Sequence, residues 1–173
     1  MNRRFFLRSL PLLAAARLAP AQSTLPNQVK LAWTRLSTLP LVESRVGYDK
    51  LYAGDVKIRG NPVRVNRRII RDCLWAHAPS MLAYNLSRAK FQLFRGKVGL
   101  EDGYFGEVQF RILGDGKELW KSQVIAKKAA NKTANDEDFL LDVRGIERLE
   151  LHVDNLGNGD SDHSIWINPE LGQ

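Results

Sequence analysis

The chain has 173 residues, of which 44% are hydrophobic and 26% charged, and it carries a formal net charge of +7. A folded domain of about 150 residues buries roughly 70% of the surface that its unfolded chain exposes. A chain of this length can therefore form a single domain whose core needs no covalent or metal support. The one cysteine excludes an internal disulfide.

Residues 1–21 have the pattern of an export signal. Arg3–Arg8 joins two adjacent arginines to an apolar pair and a further arginine, as twin-arginine signals do. The apolar run Leu10–Ala16 is too short to span a bilayer, which needs about 20 residues. Ala19–Ala21 offers a small-x-small cleavage site, so we expect a mature chain that begins near Gln22 and lies in the periplasm or outside the cell. The alternative is a disordered basic N-terminus.

Removal of residues 1–21 changes the electrostatic balance. That segment holds four arginines and no acidic residue, so the mature chain carries 22 basic and 19 acidic side chains, or +3. A basic chain favours nucleic-acid binding, but most of the excess leaves with the signal, and no basic run interleaved with aromatic residues replaces it. We therefore expect no nucleic-acid partner and no stable membrane span. The remainder divides into a short tether, 22–31, and one domain, 32–173.

Alternation of apolar and polar residues predicts short strands along the whole domain. In chain order the apolar positions are Val63, Val65, Ile69 and Leu74; Met81–Leu86; Phe91 and Leu93, with Arg95 on the same face; Val108, Phe110 and Ile112; Phe139, Leu141 and Val143; and Leu149, Leu151 and Val153. Cys73 falls within an apolar run, so we expect it to be a buried small hydrophobe.

The connections between these strands also favour a β-sandwich. Gly114-Asp115-Gly116 predicts a tight hairpin turn, because glycine accepts the positive φ that such turns require. No stretch shows a sustained helical period between caps. Ala126–Asn135 can form a helical turn or two, but Lys127-Lys128 and Asn131-Lys132 favour a solvated loop. Many short strands separated by Gly, Pro and Asn favour an all-β, antiparallel sandwich.

Two segments near opposite ends of the domain each place an imidazole beside an indole. Trp75 and His77 lie in the first, and His163 and Trp166 in the second. An indole offers a flat apolar face and one donor, and a neutral imidazole offers a donor and an acceptor. With nearby carboxylates these groups can grip a polyhydroxylated ring, although many folds bury Trp and His for other reasons.

Six motifs follow one another in a specific order from residue 36 to residue 171. They are Leu36–Pro40, Gly60–Val65, His77–Ser80, Val98–Asp102, Val108–Ser122 and Asp162-His163 with Trp166. This order resembles that of the NPCBM family, the carbohydrate-binding modules associated with family-98 glycoside hydrolases. The resemblance implies a jelly-roll-like sandwich that binds a glycan, with galactose-type sugars first, at a loop-built edge. It also implies a non-catalytic domain, because the family's catalysis belongs to separate attached domains.

The residues that we expect to contact the sugar come from both imidazole-bearing segments and from one acidic pair. They are Trp75, His77, Glu101, Asp102, Asp162 and His163. Two of them have a second interpretation: His77 can instead cap a turn, and Trp75 can be core rather than a stacking platform. Trp166 is expected to anchor the core.

Two positions depart from the family pattern. Trp75 stands in a run where the family commonly has glycine, and Ile165 stands where the family often has Asp or Asn. If the missing polar group met a sugar hydroxyl, its loss would cost about 1.5–3 kcal/mol. These departures motivate the alternative of a cell-envelope interaction or scaffold domain that has lost sugar binding.

The loop that precedes the second histidine segment is dense in oxygen ligands. Asp154, Asn158 and Asp160 are candidate ligands for a structural calcium, which takes six to eight oxygens, and the pair Glu101-Asp102 can contribute from a second loop. The alternative is an ordinary polar turn, because Leu156 breaks the spacing of an EF-hand loop.

Other chemistry receives little support. His77, His152 and His163 lack the spacing of zinc ligands, so we expect no zinc site, and a structural calcium is the one candidate cofactor. A small glycoside hydrolase is the least favoured alternative. Its two catalytic carboxylates could be Asp102 and Asp162. A catalytic triad of Ser80, His77 and Asp162 is a separate possibility, but the sequence has no nucleophile-elbow motif to support it. The sequence does not set the oligomeric state.

Overall fold

The computed structural model describes residues 30–127, 133–157 and 161–173. Residues 31–173 form one compact unit. The predicted export signal lies outside the described residues, as do Asn158 and Asp160 of the predicted calcium loop. No helix among the described residues is long and apolar enough to cross a membrane.

Within these ranges the chain forms sixteen strands and one short 3-10 turn, Leu36–Thr38. The strands are β1 (Trp33–Arg35), β2 (Leu41–Val46), β3 (Tyr52–Gly54), β4 (Lys57–Ile58), β5 (Asn61–Pro62), β6 (Arg64–Val65), β7 (Arg68–Ile69), β8 (Cys73–His77), β9 (Ser80–Asn85), β10 (Leu93–Leu100), β11 (Gly106–Gly114), β12 (Lys117–Lys121), β13 (Ile125–Lys127), β14 (Glu137–Asp142), β15 (Arg148–Asn155) and β16 (His163–Gly172).

Twelve of these strands form two six-stranded antiparallel sheets that pack as a jelly-roll-like sandwich, as expected. The first sheet has the order β14-β10-β16-β8-β3, with β1 also paired to β16. The second has the order β12-β11-β15-β9-β2, with β13 also paired to β11. Successive long strands alternate between the sheets, so the β8–β9 and β10–β11 connections cross from one sheet to the other at the same end of the sandwich.

The main core lies between the two sheets. Phe110 of the second sheet meets Trp166 of the first edge-on, with ring centroids 5.0 Å apart, and both side chains are fully buried. The expected alternation is confirmed at β11, where Val108, Phe110 and Ile112 are buried, and β15 has the same pattern. Trp166 is therefore the core anchor that the sequence indicated.

Two of the strand-level predictions are wrong. On β10 the buried aromatic residue is Phe94, whereas Leu93 is only half-buried and Arg95 is exposed. The predicted inward-facing positions of this strand are therefore wrong by one residue. Ile69 is 38% exposed, and its neighbour Ile70 faces inward instead. Both errors occur where consecutive apolar residues let either phase of alternation fit.

The predicted hairpin turn is present between β11 and β12. Gly114 pairs with Lys117, and the two turn residues, Asp115 and Gly116, have φ of 49° and 77°. Two consecutive residues with positive φ match the right-handed twist of the strands that they join.

A second, smaller core covers the outer face of the first sheet. The strands β4 to β7 form two small hairpins whose apolar side chains pack on β8 and β16. The buried members are Ile58, Val63, Val65, Ile70, Cys73, Trp75, Ile165 and Ile167. Cys73 is fully buried there, as expected, and burial raises the pKa of its thiol to about 12.

Candidate functional site

The two imidazole-bearing segments meet at the end of the first sheet where β8 ends and β16 begins. His77 and His163 are directly opposite each other in the antiparallel register, and their ring centroids are 5.4 Å apart. Residues two apart on a strand share a face, so His77 lies on the same outer face as Trp75. The site is therefore at the end of the sheet and beside the second core.

Glu101 organises the groups around these histidines. It follows β10 directly, and its Oε2 accepts hydrogen bonds from Trp75 Nε1 at 2.9 Å and from His163 Nδ1 at 2.8 Å. All three side chains are less than a tenth exposed. A buried carboxylate that receives two donors fixes both rings in orientation, because releasing either donor would leave a buried polar atom unsatisfied.

The hydrogen bonds also define the tautomer of each histidine. His77 Nδ1 lies 2.7 Å from Ala78 O, and His163 Nδ1 binds the Glu101 carboxylate. Both partners accept, so each Nδ1 carries a proton, and each neutral ring presents Nε2 as an acceptor. Among the described residues neither Nε2 has a hydrogen-bond partner. In the neutral rings, two acceptor nitrogens therefore belong to neighbouring side chains that are 7% and 6% exposed.

Tyrosines flank the two imidazoles. Tyr104 stacks on His163, with centroids 3.6 Å apart and planes at 25°. Tyr48 meets His77 edge-on at 5.6 Å. Tyr48 is 56% exposed, and Tyr104 is half-buried. Tyr48, His77, His163 and Tyr104 thus form one row, which we call the aromatic row, with its two tyrosine ends open to solvent.

A buried lysine holds the loop that carries Glu101 and Tyr104. Lys127 Nζ donates to Glu101 O at 3.0 Å and lies 3.4 Å from Asp102 Oδ1. Its side chain is only 1% exposed. The prediction that Lys127 belongs to a solvated loop is therefore wrong. Lys127 is the last residue of β13, and its buried ammonium group binds the Glu101 carbonyl oxygen and the Asp102 carboxylate.

Asp102 joins the same loop to the hairpin β6–β7. Its carboxylate accepts from the backbone N–H groups of Asn66 at 3.0 Å and Arg67 at 2.6 Å. Its own N–H donates to Arg64 O at 2.8 Å. Asn66 and Arg67 both have positive φ, so these bonds stabilise a turn that the backbone does not favour by itself.

Asp162 lies beneath the histidines and connects three elements. Its Oδ1 accepts from Glu107 N at 3.0 Å, and its carbonyl accepts from Ala78 N and Ser164 N. Gly106 leaves the necessary room, because a Cβ there would collide with the Asp162 carboxylate. Asp162 is 1% exposed, so it positions the strands around the site and does not face a ligand. It therefore does not form a carboxylate pair with Asp102 across an open cleft.

The structure brings all six candidate contact residues together, but in different roles. His77, His163 and Glu101 converge at the end of the first sheet, each less than a tenth exposed, and Asp102 lies beside them. Trp75 is 1% exposed. Its ring is held between the edge of Tyr52 and His163, with centroids 5.5 and 5.0 Å away. The core interpretation of Trp75 is therefore the correct one, and Trp75 supports His163 from below instead of offering a stacking platform.

The second departure from the family pattern is explained by the same contacts. Ile165 is directly opposite Trp75 across β8 and β16, and it is fully buried in the second core. An apolar residue at 165 therefore fits the large apolar residue at 75. Its position is out of reach of a ligand, so the absence of a polar group there says nothing about sugar affinity.

Of the three predicted calcium ligands, the structure describes only Asp154. Both carboxylate oxygens of Asp154 bind Arg111, at 2.7 and 3.1 Å, and Asn158 and Asp160 lie outside the described residues. Among the residues that the structure describes, no group of three or more His, Cys, Asp or Glu side chains converges on one point.

A cleft of about 500 Å³ opens beside the aromatic row. Its walls include Arg59 and Arg64 from the hairpin segment and Glu101, Asp102 and Tyr104 from the β10–β11 loop. This volume lies within the range of small-ligand pockets, about 300–1,000 Å³. Sequence reasoning stopped at Asp102 and missed Tyr104, although an aromatic residue in a loop directly after an acidic pair is a typical feature of binding surfaces.

The sandwich and its loop-built, partly aromatic rim define a β-sandwich module of the kind that presents a ligand site at one end of its sheets. The family model of the NPCBM/NEW2 domain matches residues 33–172, so the chain belongs to that family.

Known proteins similar to this chain are consistent with that assignment. A CBM51 module with INT domains from Clostridium perfringens ZmpB superposes with a TM-score of 0.69 at 22% identity, over 82% of this chain and 32% of that one. The CBM51 module of a Clostridium perfringens GH95 protein, in complex with methyl-galactose, has a TM-score of 0.67 at 21% identity, over 81% of this chain and 99% of that one. At these identities the likeness concerns the fold.

One curated protein is also similar in sequence. Alpha-1,3-galactosidase B of Akkermansia muciniphila is 31% identical over 96 residues, which are 53% of this chain. The match covers 12% of that protein's length, so the similarity concerns a small part of it.

The role of Lys127 leads to a stability prediction. We expect Lys127→Met to lower the free energy of unfolding by about 2 kcal/mol, because it leaves the Glu101 carbonyl and the Asp102 carboxylate without their buried partner. Lys97→Met is the matched control: Lys97 also pairs with aspartates, but at 31% exposure, so its loss should cost less than about 1 kcal/mol. Urea denaturation of both variants measures the difference, and equal losses would contradict the role given to Lys127.

Proposed function

We propose that this protein binds a glycan, with galactose-type sugars preferred, at the aromatic row. The observation that carries the proposal is the pair of neighbouring imidazoles whose tautomers are both set by Nδ1 hydrogen bonds. Each Nε2 is an acceptor, and sugar hydroxyls are donors. Two adjacent acceptors suit two hydroxyl groups on neighbouring carbons of one ring.

The tyrosines at the ends of the row supply the apolar contact that sugar C–H faces need. Aromatic contacts of this kind contribute about 0.5–1.5 kcal/mol beyond the area that they bury. Hydroxyl groups exchange water for protein partners, so their net gain is small. The affinity for a monosaccharide should therefore be modest, on the order of micromolar to millimolar.

The preference for galactose draws support from the similar proteins. One of the solved modules holds methyl-galactose, and the curated relative is named an alpha-1,3-galactosidase. Another module of the same fold is in complex with GlcNAc, so GlcNAc is the first competing sugar to test. The alternative, a scaffold domain that has lost sugar binding, draws no support from Ile165, which is buried out of reach of a ligand.

Calorimetric titration of the protein with methyl-galactoside tests the proposal. We expect His163→Ala, His77→Ala and Tyr104→Ala each to weaken binding by about tenfold, the cost of one lost hydrogen bond or aromatic contact in this site. His152→Ala is the matched control, because His152 lies on the outward face of β15 and bonds to Glu150.

A loss of sugar binding in these variants can be distinguished from misfolding. The half-buried Tyr104 can be truncated with little effect on the core, so its variant should keep the wild-type melting temperature. No heat with methyl-galactoside, GlcNAc or other common glycans, in a protein that melts normally, would overturn the proposal.

We also propose that the protein acts outside the cytoplasm, as a mature chain from about Gln22. Expression in a bacterium with a twin-arginine pathway should yield exported protein whose first residue, read by mass spectrometry, lies at or near Gln22. Replacing both Arg3 and Arg4 by Lys should retain the uncleaved chain in the cytoplasm. Export of that variant at the wild-type level would contradict the twin-arginine assignment.

A further inference from the structure

The segment that covers the outer face of the first sheet is strongly basic. Residues 57–71 contain six basic side chains and no acidic one. All six are exposed: Lys57, Arg59, Arg64, Arg67, Arg68 and Arg71. We call this set the basic strip.

The second core fixes the direction of these side chains. Ile58, Val63, Val65 and Ile70 are buried against β8 and β16, so the basic residues between them point to solvent. In this strip the exposure of the charges follows from the burial of their neighbours, and a register slip would bury charge.

The charge of the strip is poorly compensated. Among the described residues only Arg71 has an ion pair, with Asp55 at 3.4 Å. The other five basic side chains have no carboxylate of a described residue within ion-pair distance. A local excess of uncompensated guanidinium groups attracts anions and raises their concentration at the surface.

Two members of the strip reach the proposed sugar site. Arg59 and Arg64 line the cleft that also contains Tyr104, and Tyr104 stacks on His163. Arg64 is joined to the site loop through its carbonyl, which accepts from Asp102 N at 2.8 Å. The arginines and the aromatic row are thus parts of one connected surface.

Neither carboxylate of this cleft forms an ion pair with the arginines. Glu101 is buried and binds Trp75 and His163, and the carboxylate of Asp102 is occupied by two backbone N–H groups and Lys127. Both acidic groups are therefore held by donors of the chain, whereas the guanidinium groups of Arg59 and Arg64 remain open to solvent.

We propose that the ligand of this site is an acidic glycan, whose carboxylate or sulfate group binds Arg59 and Arg64 while its ring hydroxyls meet His77 and His163. This inference rests on the proposed function and specifies its substrate class. A planar guanidinium binds carboxylate and sulfate oxygens with two parallel hydrogen bonds, which gives both affinity and direction. A nucleic acid fits less well, because residues 57–71 contain no aromatic residue on which bases could stack.

Titration with matched sugars tests the proposal. Galactose, galacturonic acid and galactose 6-sulfate share their ring hydroxyl pattern and differ in the anionic group, so the last two also distinguish carboxylate from sulfate. We expect at least one acidic sugar to bind roughly tenfold tighter than galactose at low salt, and the advantage to shrink as salt rises.

The double variant Arg59→Gln with Arg64→Gln should remove this advantage, so that the acidic sugars and galactose bind it with equal affinity. Arg88→Gln is the matched control, because Arg88 is an exposed arginine in the connection from β9 to β10 at the opposite end of the sandwich. Its titrations should match the wild type for all three sugars.

The failures are distinguishable. Equal binding of all three sugars would overturn the acidic-glycan proposal and leave the sugar site standing, whereas no binding of any sugar would overturn both. Tight binding of a single-stranded DNA oligonucleotide that Tyr104→Ala leaves unchanged would show that the strip serves a nucleic acid instead, and would overturn the proposal.

Discussion

The site depends on one buried carboxylate. Glu101 receives the indole N–H of Trp75 and the Nδ1–H of His163 on a single oxygen, and so couples the two sheet strands that carry those rings to the loop after β10. The bond to His163 decides which nitrogen of that ring carries the proton. Lys127 in turn holds the loop by the Glu101 carbonyl. The chemistry presented at the surface is therefore set by bonds that are themselves inaccessible to water.

The second core extends this arrangement sideways. A sandwich of two sheets ordinarily leaves the outer face of each sheet to solvent, but here Trp75 and Ile165 make that face apolar, and the hairpins β4–β5 and β6–β7 cover it. The covering segment brings Arg59 and Arg64 to the edge of the site. Residues 75 and 165 and the basic strip thus belong to the same part of the fold, the outer face of the first sheet and the segment that covers it.

Sequence reasoning reached the fold and the approximate place of the site. The alternation along β11 and β15 was legible because one face is continuously buried, and the motif order brought His77 and His163 into the same site. It failed where the deciding contact is long-range. Lys127 was assigned to solvent because nothing local shows that a loop 25 residues earlier supplies its partners, and Trp75 was open to two roles until Glu101 was seen to bind its nitrogen. Phe94 was missed because two consecutive apolar residues do not show which of them faces the core.

The central claim is that His77 and His163 present acceptor nitrogens to a sugar, and nitrogen NMR of the imidazoles tests it most directly. The chain has three histidines, and the third, His152, bonds through Nε2 to Glu150 and serves as an internal reference. Two-bond proton–nitrogen spectra should show the Nδ1–H tautomer for His77 and His163, and added methyl-galactoside should shift their Nε2 signals but not those of His152. Nε2–H tautomers at His77 and His163, or Nε2 signals that stay in place while the sugar binds, would contradict the account.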